Sequence, residues 1–320
     1  GREGGGPGEY QLPTGLTVAP DGRIVIRDTG RSSWALFAPD GAYLENLRLD
    51  GSLGRPSALR FAADGSIVST PNDLVMVENG RLRRTYMVDG GEDPRHVDRV
   101  PVLALDSDGQ NPEAIDEMWM APRDVIDSGQ LREMAFLAQP HWDVLPDGRA
   151  VVADSITWQI RVIGSHLGAP DQRLTRAIAP QPVTDRMQEL EIERRAALPN
   201  GGRSGGMVSF GGSEEENRRA IRRAAEARLR AGLGFPAERQ VIRGMMVDGA
   251  GRIWVARTPD ALDPDAPGPV DVLDGSGRYL GTIESFTLPD AFGPDGLAAW
   301  IGEGEFEVPV VTVRRVRLPG

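Results

Sequence analysis

The sequence predicts an all-β fold assembled from repeated antiparallel hairpins, and three observations carry that prediction. Four stretches superimpose on one another: LTVAPDGRIVIRD (Leu16 to Asp28), LRFAADGSIVST (Leu59 to Thr70), WDVLPDGRAVVAD (Trp142 to Asp154) and MMVDGAGRIWVAR (Met245 to Arg257). Each reads as strand, tight turn, strand, because a D-G or A-G pair tolerates the positive φ that such turns need. A second hairpin follows each of them, and Gly 40 with Pro 25 in 320 residues supplies turns for many short strands.

Taken in order, SWALFAPDGAYLENLRL turns at Asp40-Gly41, and DLVMVENGRLRRTYMV at Asn79-Gly80. TWQIRVIGSHLGAPDQRLTRAI has a longer turn, and VDVLDGSGRYLGTI turns near Ser276-Gly277. A more divergent unit comprises VPVLALDSDG and MWMAPRDVIDSGQLREMAFLA. A unit of four antiparallel strands recurring roughly every 40 residues is a β-propeller blade. Five full blades are expected, at about 15–50, 57–90, 97–138, 141–178 and 240–285. The strands at 297–318 are expected to form part of a sixth, within a single propeller domain over 1–320.

The strings APDGRIVIRD…WALFAPDG and LPDGRAVVADS…QIRVIG resemble NHL-type repeats of bacterial six-bladed propellers. Their pattern is approximately apolar-x-V-x-x-D-G-x-I-x-V-x-D, then R-V-x-V-F-x-x-D-G. The opening GREGGGPGEYQLP resembles the Gly-rich linker that joins one blade's outer strand to the next blade's inner strand. The resemblance implies a six-bladed disc and leaves activity open, because that fold hosts lyases, lactonases, receptors and interaction modules. A chain that opens on a linker also implies that the last blade draws its remaining strands from residues upstream of Gly1 or from a partner chain.

Residues 180–236 depart from the blade period and read as two helices. Thr184 caps the first, over MQELEIERRAAL, and Ser213 with Glu216 forms a capping box for the second. In the second, Ile221, Ala224, Ala225 and Leu229 form an apolar stripe. Its arginines, Arg218, Arg219, Arg222 and Arg223 among them, are partner-binding candidates on an insertion, although i,i+4 Glu–Arg pairs also describe a merely solvated helix.

Composition excludes several function classes. A net charge of −11 repels phosphate backbones, so no nucleic acid is expected. Cysteine is absent, which removes disulfides, thiolate metal sites and a cysteine nucleophile. No 18-residue apolar run is present to span a membrane. The opening glycines lack G-x-G-x-x-G spacing between a strand and a helix, and all basic residues are arginine, so no phosphate loop is present. The G-x-S-x-G around Ser204 lies between helices without the strand that a nucleophile elbow needs.

Propeller topology places the D-G turns on one face and the remaining connections on the other. That second face is expected to hold any site, with Asp28, Arg31, Asn72, His96, His141, Asp154 and Arg257 as ligand- or partner-facing candidates. His96 and His141 both precede inner strands, whereas His166 falls on the opposite face. The resemblance makes a lyase or lactonase with Ca²⁺ or Zn²⁺ in the central channel the enzymatic alternative. No catalytic set and no cofactor is predicted from the residues themselves. The aspartates ending second strands also serve as backbone caps, and the six tryptophans read as packing between sheets. The expected role is an extracytoplasmic binding or structural subunit that meets other proteins.

Overall fold

The computed structural model describes residues 4–31, 33–50, 56, 58–71, 74–78, 81–85, 87–88, 91–92, 99–119, 121, 132–164, 172–198, 213–260, 266–304 and 308–317. Among the described residues it is an all-β propeller of five blades with two α-helices. Blade 1 is the sheet β1 (Pro13–Val18), β2 (Ile24–Asp28), β3 (Ser33–Phe37) and β4 (Tyr43–Leu47), in sequential order.

Blade 2 corrects the expected count. Its strands β5 (Leu59–Phe61) and β6 (Ile67–Ser69) do not continue into the Asn79-Gly80 hairpin. That hairpin forms a separate two-stranded sheet of β7 (Leu74–Glu78) and β8 (Arg81–Thr85), followed by a short pair, β9 (Met87–Val88) and β10 (Gly91–Glu92). Strand β6 pairs instead with β11 (Arg99–Leu105), which pairs with β12 (Glu113–Trp119). The expected blades at 57–90 and 97–138 are therefore one blade carrying an inserted hairpin, and the count is five rather than six. The reason is burial. An interior strand is covered on both faces and needs a continuous apolar run. RVPVLAL supplies one, with Val102 and Leu103 at 0% and 1% exposure, whereas β8 reads RLRRT.

Blade 3 contains β13 (His141–Val144), β14 (Ala150–Ala153), β15 (Gln159–Ile163) and β16 (Gln172–Thr175). A short pair, β17 (Gln181–Pro182) with β18 (Glu238–Arg239), closes the base of the helical insertion. Within it lie α1 (Asp185–Ala197), capped by the Thr184 side chain, and α2 (Glu214–Gly232), which carries the Ser213–Glu216 capping box. Ala225 and Leu229 of the anticipated stripe are buried against α1, while Ala224 is exposed.

Blade 4 is β19 (Ile242–Val247), β20 (Ile253–Arg257), β21 (Gly268–Leu273) and β22 (Tyr279–Phe286). Blade 5 has three strands among the described residues, β23 (Ala291–Phe292), β24 (Leu297–Glu303) and β25 (Pro309–Arg315). The expected partial sixth blade is thus the fifth.

The hairpin turns take the anticipated conformation. Gly22, Gly65, Gly148 and Gly251 have φ of 84°, 88°, 90° and 77° at equivalent positions of the four repeats. An L side chain there costs about 1–2 kcal/mol. Between successive blades lie four apolar clusters, for example Val25, Trp34 and Leu36 of blade 1 against Leu59, Ile67 and Leu103 of blade 2. Trp158 and Trp254 are 2% and 0% exposed within these seams, as the packing reading of the tryptophans requires.

Candidate functional site

Strand direction places three long connections on one face. Blade 2's β6–β11 connection, the β12–β13 connection and the helical β16–β19 connection all leave from the end where β2 finishes and β13 begins. The helices rest on the second of these: Ala135 and Phe136 join Ile192, Ala196, Leu229 and Leu233 in one apolar cluster. Glu191, 4% exposed, is held by Arg194 and Arg195, and Arg195 also reaches Glu133 at 2.7 Å.

Asp28 closes β2 on this face. Its carboxylate accepts the backbone N–H of Gln11 at 2.9 Å, Leu12 at 2.8 Å and Gly30 at 3.1 Å. Burial pushes its carboxyl up, and these N–H donors together with that of Arg31 outweigh burial, leaving the group below the ordinary carboxylate range. The Arg31 guanidinium donates to the carbonyls of Gly6 and Glu9. Asp28 and Arg31 thus share the task of pinning the Gly-rich segment onto blade 1.

Asp154 has the same position in blade 3. It accepts the Trp119 N–H at 2.9 Å and pairs with Arg161 at 2.6 Å. Arg161 also pairs with Asp116 and donates to the Glu117 carbonyl, so this group sews blade 3 to the outer strand of blade 2. The next residue, Ser155, sits at φ 73° and offers its carbonyl to the N–H of Val241 and of Ile242. Arg257 ends β20 and turns into the seam between blades, 3.3 Å from Asp271.

His141 begins β13. Desolvation lowers its pKa to about 4, so the imidazole is neutral at physiological pH, and its buried Nε2 has no hydrogen-bond partner among the described residues. Arg218, Arg219, Arg222 and Arg223 lie on the exposed side of α2, where Arg219 pairs with Glu215 and Arg222 with Glu226. Asn72 and His96 lie outside the described residues, as does His166.

Two carboxylates escaped the sequence reading. Asp271, fully buried, accepts the Trp158 indole N–H at 2.7 Å and the Thr282 hydroxyl at 2.5 Å, and pairs with Arg176 at 2.5 Å. Asp143 accepts from Arg60 Nε at 2.9 Å and from the Val247 N–H at 2.8 Å, joining the inner strands of blades 2, 3 and 4. Burial pushes its carboxyl up, against the pull of Arg60. The available signal was an acid inside an apolar run, WDVL and PVDVL, since a buried charge needs a partner.

This arrangement brings Asp28 and Arg31 together, commits Asp154 to Arg161 and Arg257 to Asp271, and places His141 opposite Ala153, the neighbour of Asp154. Among the described residues no three His, Asp or Glu side chains gather in a metal-ligand set. No helix there is long and apolar enough to cross a membrane.

No protein-family model matches the chain, and no curated protein does. Among solved structures, it is similar to β-propeller proteins. A gluconolactonase from Xanthomonas campestris aligns at 17% identity and TM-score 0.37, over 92% of this chain and 66% of that one. A catalytically inactive virginiamycin B lyase from Staphylococcus aureus aligns at 11% and 0.37, over 94% and 83%. Kuenenia stuttgartiensis hydrazine synthase aligns at 14% and 0.40, over 97% and 64%. The chain therefore spans just under two thirds of the length of the gluconolactonase and of the hydrazine synthase chain.

Proposed function

We propose that this chain is a non-catalytic binding or scaffold propeller, an accessory or structural subunit of a larger protein complex outside the cytoplasm. One observation carries the reading. Asp28, Arg31, Asp154 and Arg257, the charged groups best placed for chemistry, are engaged with the protein's own backbone and ion pairs. A frame stiffened in this way presents its connections and its helical pair as a fixed platform.

The test is co-purification from the source organism. The full chain is compared with the combined variant Arg218→Glu, Arg219→Glu, Arg222→Glu, Arg223→Glu, its fold verified by circular dichroism. Fixed protein partners retained by the first and lost by the second are expected. Retention of the same partners by both removes α2 from the binding surface, and recovery of the full chain alone contradicts the subunit role.

A second reading, a metal-dependent lyase or lactonase with its site at the channel mouth, draws on the neutral His141, whose Nε2 has no partner among the described residues. Lactone hydrolysis that is lost in His141→Ala would establish it.

A further inference from the structure

The repeats make one prediction about burial that blade 1 does not meet. The residue two after the turn glycine points to the preceding blade: Ile67, Ala150 and Ile253 do so, each 0% exposed. The next residue points to the following blade, as Val25, Val68, Val151 and Trp254 do. In blade 1 the first of these positions is Ile24, which is only partly buried, as is Ile26. On the paired strand, Leu16 is 63% exposed and Val18 54%, whereas Leu59, the counterpart of Leu16, is 1% exposed. Blade 1 thus presents the face that a preceding blade covers in every other repeat.

Blade 5 presents the opposite half. Its register places Ile301 opposite Val311 and Ala299 opposite Val313 on one face. Ile301, Val311 and Val313 are 63%, 60% and 57% exposed. The other face looks toward blade 4, with Ala298 buried and the Trp300 ring 6.0 Å from Phe286. Among the described residues, apolar clusters join blades 1–2, 2–3, 3–4 and 4–5, and none joins 5 to 1. Two aliphatic faces of this kind, both open, mark an interaction surface.

We infer that the two faces are the halves of one intermolecular seam, in which blade 5 of one copy packs on blade 1 of a second copy. The occupant follows from continuity with the seams already present. Four times within the chain, the trailing face of one blade receives the leading face of the next. The surface that suits Ile301, Val311 and Val313 is therefore the one holding Leu16, Val18, Ile24 and Ile26, and each copy carries one of each. Such a contact is heterologous, so it propagates head to tail or closes as a ring.

Sedimentation velocity of the full chain over a range of concentrations tests this, with Leu16→Asp and Val311→Asp, each an exposed site. The wild-type chain is expected to associate with rising concentration, and each variant to weaken that association by about tenfold or more. An equimolar mixture of the two variants is expected to give dimers and nothing larger, because each retains the face the other has lost. Leu16→Thr and Val311→Thr replace the aspartates if either fails to fold. A wild-type chain that stays monomeric throughout, unaltered association in both variants, or a mixture that remains monomeric overturns the inference. The first of these is the outcome if a sheet from another polypeptide, or the chain's own blades, occupies the gap.

Discussion

The Trp158 indole N–H donates to the Asp271 carboxylate at 2.7 Å across the seam between blades 3 and 4. Around that bond, Arg176 and Arg257 bring two positive charges to a fully buried acid, and Thr282 supplies a hydroxyl. Arg176 also lies over the Trp158 and Tyr279 rings. The apolar seam gains a polar lock that fixes which side chains meet, and such a lock is costly to break from one side only.

Replacing Asp271 by Asn is expected to destabilise the chain by about 3–5 kcal/mol, since two arginines lose their counter-charge in a buried site. Trp158→Phe leaves the carboxylate one donor short and is expected to cost about 1–3 kcal/mol. Urea unfolding midpoints of the two variants check both values and their order.

The blade count is tested by cross-linking. The chain has no cysteine, so introduced pairs report without background. Ser69 lies opposite Leu103 in the β6–β11 ladder. Ser69→Cys with Leu103→Cys is expected to form a disulfide on mild oxidation. Ser69→Cys with Leu74→Cys, the pairing that six blades require, is expected to remain reduced. Mass spectrometry of the oxidised proteins reads the result.

That correction shows what the sequence carried and what it did not. Hairpins were legible because their signal is local. A D-G pair sets a positive φ, and Gly22, Gly65 and Gly148 adopt it. Helix starts were legible for the same reason, through Thr184 and the Ser213–Glu216 box. Which hairpins share a sheet is a long-range choice. The turn at Asn79-Gly80 carries the same signal as the others, and only the apolar run of β11 decides against it. At the candidate face, the positions of Asp28 and Asp154 were legible as the residues ending a repeat motif. Their partners, Leu12 before β1 and Trp119 at the end of β12, come from distant parts of the chain and leave no local trace.

His141 gives the stability a pH dependence of its own. Its folded pKa of about 4 lies below the ordinary 6.5, so the unfolded chain binds the proton first as pH falls. The stability from keeping this imidazole neutral is complete above 6.5 and lost progressively down to about 4, amounting to roughly 3 kcal/mol. His141→Phe is expected to flatten the unfolding free energy across that interval, measured by urea titrations at a series of pH values.

Asp28 acts in the opposite part of the scale. Its folded pKa is depressed, so its contribution is present above the unfolded carboxylate value and is lost as pH falls through the folded one. Asp28→Ala removes a charged acceptor from Gln11, Leu12 and Gly30 and is expected to cost about 1.5–3 kcal/mol. Hydrogen exchange is expected to accelerate first at the Gln11 and Leu12 amides, which locates the effect in the Gly-rich segment that Asp28 holds.

Metal retention tests most directly whether the candidate face is framework. The purified full chain is incubated with Ca²⁺ and with Zn²⁺, desalted, and analysed by inductively coupled plasma mass spectrometry, alongside His141→Ala and Asp154→Asn. A framework face predicts no stoichiometric ion in any of the three proteins. One equivalent of either metal in the wild-type chain, lost in both variants, would contradict that and make the face a metal-binding site.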